Sequence, residues 1–243
     1  NKITSVYTNH DYEPYARKRD KEMNQLFVAN GISFLTSKDQ VIFEPGEILN
    51  GSGEFYKVFT PFSKNWLEKF KQSKVQPFPE PNWKNLFSTS PLSGITLEEM
   101  GFKPSQISIP PKTTDRNLIK TYDETRNFPA KPGTTRLGIH LRFGTISVRQ
   151  LALEAAGLND TYLNELIWRE FYQHVAVDYP QVCKRKAMQA HTEAFPWRYD
   201  KTLFAAWCEG KTGITIVDAA MRQLNATGWM HNRLRMVVAM YLT

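Results

Sequence analysis

A helical stretch in the C-terminal half places a carboxylate, an indole and a guanidinium on one side of a predicted helix. In "TYLNELIWREFYQHVA", Glu165, Trp168, Arg169 and Tyr172 are related by steps of three and four residues. Side chains at such steps are neighbours on a helix surface. Two interpretations stay open: a site that uses these groups, or an exposed Glu165–Arg169 ion pair beside a half-buried tryptophan. The large apolar surface of Trp168 argues against a fully exposed pair.

A second polar stripe lies in "GWMHNRLRMVVAMYL". Trp229, Asn232, Arg233, Met236 and Met240 fall on one side of a predicted helix, and apolar residues form the opposite arc. We therefore expect this helix to be buried on both sides. A buried arginine or amide needs a partner, because an unpaired buried charge costs several kcal/mol. The stripe predicts either an internal polar network or the wall of a pocket for an anionic, hydrogen-bonding ligand.

A third candidate is "PGTTRLG", residues 132–138, where proline and glycine favour a turn. Thr134 and Thr135 are expected to cap the helix that follows, next to Arg136, and such a turn suits a phosphate group. The segment matches neither dinucleotide-binding nor P-loop fingerprints, so an ordinary helix start explains it equally well.

The composition indicates a globular chain with a basic surplus. Its 243 residues are 41% apolar, and 31 Lys and Arg against 24 Asp and Glu give a net charge of +7. A basic excess favours polyanion partners but also suits other proteins. Cys183 and Cys208 lack metal-ligand spacing, so neither a disulfide framework nor a metal site is expected. No apolar run approaches the ~20 residues of a membrane span and no signal peptide is found, so we expect a cytoplasmic monomer.

Three zones follow one another along the chain. Residues 1–45 alternate strand candidates (residues 3–8, 32–36 and 40–45) with a helix from Pro14 to Asn30 that Gly31 closes, which is an α/β pattern. Residues 46–130 are rich in proline and predict a long interdomain connector. Residues 131–243 are helical throughout. The missing initiator methionine and the uncapped apolar C-terminus predict a fragment.

Apolar stripes at helical spacing define the core of the third zone. The residues expected to be buried are Leu163, Leu166, Ile167, Phe171 and Val175 in one helix, and Val217, Ala220, Met221 and Leu224 in another.

Long motifs in this chain resemble the DNA photolyase and cryptochrome family, especially the bacterial class I cyclobutane pyrimidine dimer photolyases. The motifs are "NELIWREF", "FPWRYD", "WCEGKTGITIVDAAMRQLNATGWMHNRLRM", "GTTRLGIHLRFGTIS" and, upstream, "NHDYEPYARKRD" and "GEFYKVFTPFSKNWLE". The resemblance covers nearly the whole chain. It implies the end of a flavodoxin-like antenna domain of the α/β class, followed by the first part of an all-α FAD-binding catalytic domain.

The resemblance also implies an activity, which is light-driven repair of DNA by a lyase. Excited, fully reduced FAD donates an electron to a pyrimidine dimer that is flipped out of the duplex, and the cyclobutane ring splits. A blue-light photoreceptor, or cryptochrome, is the alternative with the same flavin fold. A photolyase for 6-4 lesions ranks below both, and a light-independent nucleic-acid-binding module explains the charge but not the polar stripe.

By resemblance, the flavin contacts fall at Tyr122, in the 132–138 turn and in the two helical motifs. They are Tyr122, Thr134, Thr135, Arg136, Leu137, Tyr162, Arg169, Trp229, Asn232 and Arg235. The two threonines and Arg136 stand where the family binds the phosphates. Gly138 replaces a residue that is often serine, and Tyr162 stands where some relatives carry tryptophan.

By resemblance, the DNA lesion is contacted by Glu165, Trp168, Asn232, Arg233 and Met236. Glu165 accepts hydrogen bonds from the thymines and stabilises the charged intermediate, Trp168 stacks on the flipped bases, and Arg233 neutralises backbone charge. Met236 and Asn232 complete the pocket.

Trp197 in "FPWRYD" corresponds to the outermost member of the tryptophan chain through which the family reduces its flavin. The inner members and part of the flavin site have no counterpart here, so we expect these residues alone to bind FAD poorly and to repair nothing. The antenna chromophore, of folate or deazaflavin type, is not settled. Ala16 stands where folate-binding relatives carry an acid, whereas Cys183 and Lys184 match them.

Overall fold

The computed structural model of the chain describes residues 3–86 and 94–243. Residues 1, 2 and 87–93, which belong to the expected α/β zone and the expected connector, lie outside the described residues. The chain divides into two compact units, Asn1–Gln76 with Lys112–Tyr199, and Pro77–Pro111 with Asp200–Thr243. Each unit is assembled from two stretches that are distant in sequence.

The first unit begins with a β–α–β element. Strand β1 (Ser5–Asn9) pairs in parallel with β2 (Ser33–Ser37), and helix α1 (Pro14–Ala29) connects them. Proline at the start of α1 is favourable, because the first turn has no partner for its backbone N–H. Gly31 follows the helix with a φ of 68°, which glycine adopts without strain. The expected α/β pattern is confirmed, and α1 ends one residue earlier than predicted.

The predicted strand at residues 40–45 is wrong. Val41, Ile42 and Phe43 are buried, but no strand pairs with them among the described residues. The N–H groups of Ile42 and Phe43 donate instead to the carboxylate of Glu170. Arg149 donates to the carbonyl oxygens of Lys38, Asp39 and Val41. Because side chains from distant helices satisfy this backbone, the apolar pattern did not produce a strand.

Helix α2 (Phe59–Gln72) lies within the expected connector, yet it contributes to the core. Phe62 and Trp66 on its inner face are fully buried. The turns that precede and follow it are exposed at most positions. The proline-rich stretch therefore contains a core helix, whose apolar residues recur at helical spacing.

Helix α7 (Asp160–Asp178) is the longest element, and its N-cap is Asn159, whose side chain accepts from Tyr162 N. The predicted stripe is confirmed at Leu163, Leu166, Ile167 and Phe171, which are buried, whereas Val175 is only partly buried. Trp66 and Ile119 share their core. The shorter helices of this unit are α3 (Arg116–Lys120), α4 (Tyr122–Thr125), α5 (Gly138–Arg142) and α6 (Val148–Ala156).

The second unit contains α8 (Lys201–Glu209), α9 (Thr215–Thr227) and α10 (Asn232–Leu242). Its core is formed by Val217, Ala220, Met221, Met230, Leu234 and Val238, with Leu224 partly buried against it. No helix of the described residues has both the length and the apolar content that a membrane crossing demands.

The expectation that α10 is buried on both sides is wrong. Met236 is 55% exposed and Met240 is 75% exposed, whereas Leu234 and Val238 are buried. Only this apolar side packs within the second unit, against α9. The helix also begins at Asn232, so Trp229 precedes it rather than lying on its surface.

Candidate functional site

The candidate phosphate segment, residues 132–137, is held against α4 and α7. The hydroxyl of Thr125 in α4 donates to the carbonyl oxygen of Gly133 at 3.3 Å, and Thr135 Oγ1 lies 2.9 Å from the hydroxyl of Tyr162 in α7. Gly133 is buried, and a Cβ at this position would lie 2.6 Å from Thr125 Cβ. Glycine is therefore what allows the segment to lie this close to α4.

The two threonines of this segment do not cap the helix that follows, so that expectation is wrong. Leu137 is the N-cap residue of α5, and no side chain caps this end. Arg136 adopts a left-handed backbone conformation with a φ of 54°, which separates the threonines from the helix start. This conformation costs a non-glycine residue about 1 kcal/mol. Thr134, Thr135 and Arg136 still supply hydroxyl and guanidinium donors, which phosphate oxygens accept.

Two tyrosines form an aromatic wall beside this segment. The rings of Tyr122 and Tyr162 meet edge to face, with centroids 5.1 Å apart. Tyr162 is buried, and burial raises the pKa of its hydroxyl, although the hydrogen bond with Thr135 acts in the opposite direction. The hydroxyl of Tyr162 therefore stays neutral and links the wall to the phosphate segment.

One interpretation of the sequence was an ion pair between Glu165 and Arg169. The structure does not contain this pair. Instead, Glu165 Oε1 accepts a hydrogen bond from Nη1 of Arg126, the residue that ends α4. The guanidinium carbon of Arg126 also lies 5.9 Å from the centroid of the Tyr122 ring. One arginine therefore contacts both the aromatic wall and the carboxylate.

Arg169 binds backbone carbonyl groups. It donates to Gln40 O at 2.6 Å and to Leu141 O at 3.4 Å. Burial lowers the pKa of its guanidinium, and the nearby Glu170 acts in the opposite direction. The side chain thus connects α7 with the 38–43 segment and with α5.

The indole of Trp168 is held in an aromatic stack. Its centroid lies 3.5 Å from that of Phe59, with 7° between the planes, and 5.6 Å from that of Tyr172. The edge of Phe171 completes the contact at 5.7 Å. Phe59 therefore covers one face of the indole and fixes its plane.

The polar residues of the second motif surround the start of α10. His231 caps the helix, and its Nδ1 accepts from Arg233 N at 3.2 Å. Trp229 is half-buried with its ring edge-on to His231, at a centroid distance of 6.1 Å. Arg235 Nε donates to Met230 O at 3.2 Å. The side chains of Asn232 and Met236 are exposed, within the first two turns of the helix.

The predicted site residues thus form two groups, one in each unit. Tyr122, Tyr162, Glu165, Trp168 and Arg169 lie in the first unit with the 132–137 segment, and the residues from Trp229 to Met236 lie in the second. Trp197 lies near the C-terminal end of the second stretch of the first unit. It is 43% exposed and contacts Phe195 at a centroid distance of 4.7 Å.

Comparison with known proteins identifies the family. Residues 162–243 match the model of the FAD binding domain of DNA photolyase, and residues 1–82 match the model of DNA photolyase. The deoxyribodipyrimidine photo-lyase of Escherichia coli (strain K12) is 38% identical over 100% of this chain and 55% of its own length. The chain belongs to the DNA photolyase family. It spans about half the length of the curated relatives that it matches.

Further relatives agree with the assignment to this family. The deoxyribodipyrimidine photo-lyase of Vibrio cholerae is 37% identical over 99% of the chain and 55% of its own length. Among solved structures, the class III photolyase of Agrobacterium tumefaciens matches with a TM-score of 0.82 at 29% identity, over 98% of this chain and 54% of the other. A cryptochrome from Synechocystis sp. PCC6803 shares the fold, with a TM-score of 0.74 at 24% identity.

The residues of the 132–137 segment fit the phosphates of FAD. Gly133 lies so close to Thr125 that no side chain fits there, and two threonines and an arginine follow it directly in the sequence. These donors suit a pyrophosphate, and the rings of Tyr122 and Tyr162 provide an adjacent aromatic surface.

The sequence pattern did not predict the roles of two polar residues in this region, Glu170 and Arg126. Glu170 is buried, and burial raises the pKa of its carboxyl group to about 7, against the effect of its three N–H donors. Its position could have been noticed, because it continues the apolar stripe of Leu166 and Ile167 by four and three residues. Arg126 carries no such local signal, since its partner Glu165 lies 39 residues away.

Proposed function

We propose that this chain is part of an enzyme that uses light to split cyclobutane pyrimidine dimers in DNA, a carbon–carbon lyase with FAD as cofactor. The observation that carries the proposal is the order of groups along α7. Tyr162 bonds to the phosphate segment, and Glu165 and Trp168 follow about one and two turns later. One helix therefore joins groups suited to the cofactor phosphates with groups suited to a pair of pyrimidines.

Under this proposal, the chain binds and orients FAD. Thr134, Thr135 and Arg136 bind the phosphates, and Tyr122 and Tyr162 line the adjacent wall. When bound and reduced, FAD supplies the electron that opens the cyclobutane ring under light. The remaining contacts are assigned to Leu137, Arg169, Trp229, Asn232 and Arg235.

The same proposal assigns the recognition of the lesion. A dimer inside the duplex cannot reach a buried cofactor, so the two bases must leave the stack. Glu165 accepts hydrogen bonds from pyrimidine N–H groups, and Trp168, with its plane fixed by Phe59, stacks on the exposed bases. Asn232 and Met236 are assigned to the lesion, and Arg233 is assigned to a phosphate.

Electron supply and light capture extend the proposal. The exposure of Trp197 suits a residue that passes electrons inward from the surface. An antenna chromophore of folate or deazaflavin type would bind in the first unit, which contains the buried Ala16 and the exposed Cys183.

The organisation and surroundings of the protein are also part of the proposal. Residues 1–45 are assigned to the antenna domain, 46–130 to a connector and 131–243 to the catalytic domain. The partner is damaged DNA, towards which the net charge of +7 steers association. The protein acts as a monomer in the cytoplasm.

The test compares light and darkness. The protein in its natural full length, with reduced FAD, is mixed with an oligonucleotide that carries one thymine cyclobutane dimer. Blue light should restore the thymines and darkness should not. Glu165→Ala should lose most of the repair while keeping its FAD, because the carboxylate contacts the lesion rather than the cofactor.

Two other outcomes would contradict the proposed function. If FAD binds but light restores no thymines, the protein is a blue-light photoreceptor and the proposal fails. If repair proceeds equally in darkness, the reaction does not use light and the assigned mechanism is wrong.

A further inference from the structure

The indole of Trp168 is covered on one face by a residue from another helix. Phe59 is the first residue of α2, and its ring lies face to face with the indole, at a centroid distance of 3.5 Å and with 7° between the planes. Carbon atoms in contact approach no closer than about 3.5 Å, so the two rings overlap with little lateral offset. Phe59 therefore covers the centre of one face of the indole, and a nucleobase can stack only on the other.

A cluster of aromatic rings holds Phe59 in this place. Phe171 of α7 meets Phe59 at a centroid distance of 5.7 Å, Phe62 at 5.2 Å and Trp168 at 5.7 Å. Phe62 and Trp66, which follow Phe59 about one and two turns later in α2, are fully buried. The first turn of α2 is thus anchored in the core, and its first ring reaches the border of that core.

Packing alone does not account for the overlap of these two rings. Aromatic pairs in protein cores favour offset or edge-to-face arrangements, as Phe171 shows with both of its neighbours. Trp168 and Phe59 are both only partly buried. An indole at the border of a core has room to change its rotamer, and ordering it on binding would cost affinity. The overlap with Phe59 keeps the indole in one plane before any base arrives.

We propose that Phe59 is a positioning residue that sets the specificity of the lesion site. It holds the indole of Trp168 in the plane on which the flipped pyrimidines stack, and it closes the opposite face to other bases. This inference rests on the proposed function, because it takes Trp168 as the stacking surface for the lesion. Phe59 acts through Trp168 and is not itself assigned a contact with DNA.

The test is a double-mutant cycle on the full-length protein with bound FAD. Phe59→Leu, Trp168→Leu and the double variant are compared for affinity to a duplex with one thymine dimer and to the undamaged duplex of the same sequence. Phe59→Leu should weaken binding of the dimer by about 2- to 12-fold, which corresponds to the ~0.5–1.5 kcal/mol of an aromatic pair. Binding of the undamaged duplex should change by less than about 2-fold, and so should binding of the dimer when Phe59→Leu is made in the Trp168→Leu background.

Two further variants separate a positioning role from a merely structural one. Phe59→Tyr keeps the ring and should bind the dimer within about 2-fold of the unchanged protein. Phe62→Leu is the matched control, because Phe62 contacts Phe171 but forms no ring contact with Trp168 within the described part of the chain. It should lower the melting temperature and keep the preference for the dimer. Flavin absorbance identifies any variant that fails to fold, and Phe59→Met completes the cycle if Phe59→Leu does so.

Three results would overturn the inference. Losses that multiply in the double variant would mean that Phe59 acts independently of Trp168. An equal loss of affinity for the damaged and the undamaged duplex would show that Phe59 does not set specificity. A loss of preference in Phe62→Leu as large as in Phe59→Leu would assign the effect to the core. These results are interpreted only where the unchanged protein repairs the dimer in light, since absence of repair would overturn the proposed function and this inference with it.

Discussion

The carboxylate of Glu170 lies 2.7 Å from the indole Nε1 of Trp66, and both side chains are buried. The same carboxylate accepts the N–H groups of Ile42 at 2.6 Å and Phe43 at 2.8 Å. One side chain of α7 therefore satisfies three donors from two segments that precede it by more than a hundred residues. The contact joins the segment that follows β2 to α2 and α7 within the first unit.

Replacing Glu170 with leucine should destabilise the protein strongly. Glu170→Leu leaves three buried N–H donors without an acceptor, and each such donor costs about 1–3 kcal/mol. We expect the free energy of unfolding to fall by about 3 kcal/mol or more, measured by urea denaturation. Glu22→Gln, at an exposed ion pair on α1, is the control and should change it by less than about 0.5 kcal/mol. A similar small change for Glu170→Leu would refute the role given to this carboxylate.

The pH dependence of stability should reveal the titration of Glu170. Burial raises the pKa of its carboxyl group to about 7, from 4.5 in the unfolded chain. Between these values the folded protein binds the extra proton, so the contribution of Glu170 to stability falls as the pH rises from about 4.5 to about 7. Glu170→Gln keeps the shape without titrating, and it leaves the buried His174 unchanged. The stability advantage of the unchanged protein over this variant should therefore be larger at pH 5 than at pH 7.5.

The measurement for this prediction is urea denaturation of both proteins across the pH range. The difference in stability between the two proteins isolates Glu170. Burial lowers the pKa of His174, so its contribution to stability changes with pH in the opposite direction, but this contribution is the same in both proteins and cancels. A difference that does not vary with pH would show that Glu170 does not titrate in this window.

Gly133→Ala should disturb the phosphate segment. The new Cβ would lie 2.6 Å from Thr125 Cβ, so the segment must move away from α4. Overpacking of this kind costs about 1–3 kcal/mol, or roughly 2–12 °C in melting temperature. We also expect less FAD to be retained on purification of the full-length protein. Gly138→Ala is the matched control, because nothing lies within 4 Å of its added Cβ, and Thr125→Gly should partly rescue Gly133→Ala.

Asp218→Ala should loosen the start of α9. The carboxylate accepts from Thr212 N, Thr212 Oγ1 and Gly213 N at 2.7–3.0 Å, and the hydrogen bond from the Thr212 side chain lowers the pKa of Asp218. Without it, the amides of Thr212 and Gly213 should exchange hydrogen faster. The amides of α7 serve as the internal reference. If the ratio of the exchange rates of the Thr212 and Gly213 amides to those of α7 does not change, the prediction is wrong.

The helices were predictable where their apolar residues recur within a few turns. The stripe from Leu163 to Phe171 is a local pattern, and its burial followed. Residues 40–45 show the limit of such patterns. Their short apolar run resembles a strand, but the partners of their backbone are Arg149 and Glu170, which no local rule connects to them.

The candidate site was also predictable only in part. The polar side of α7 could be predicted from residue spacing, because Glu165 and Trp168 lie on one helix. The ion-pair partner of Glu165 could not be predicted, since Arg169 on the same helix offered an equally plausible pair. The choice between Arg126 and Arg169 is made by the 38–43 segment, whose Gln40 carbonyl engages Arg169.

The bond between Ile42 and Glu170 also sets an order of events during synthesis of the chain. The two residues are 128 positions apart, which a ribosome adds in about 6 to 26 seconds at about 5–20 residues per second. During that interval the N–H groups of Ile42 and Phe43 have no carboxylate to bind, and their apolar side chains have no helix to pack on. The segment around Ile42 and Phe43 must therefore wait, without these partners, until α7 emerges.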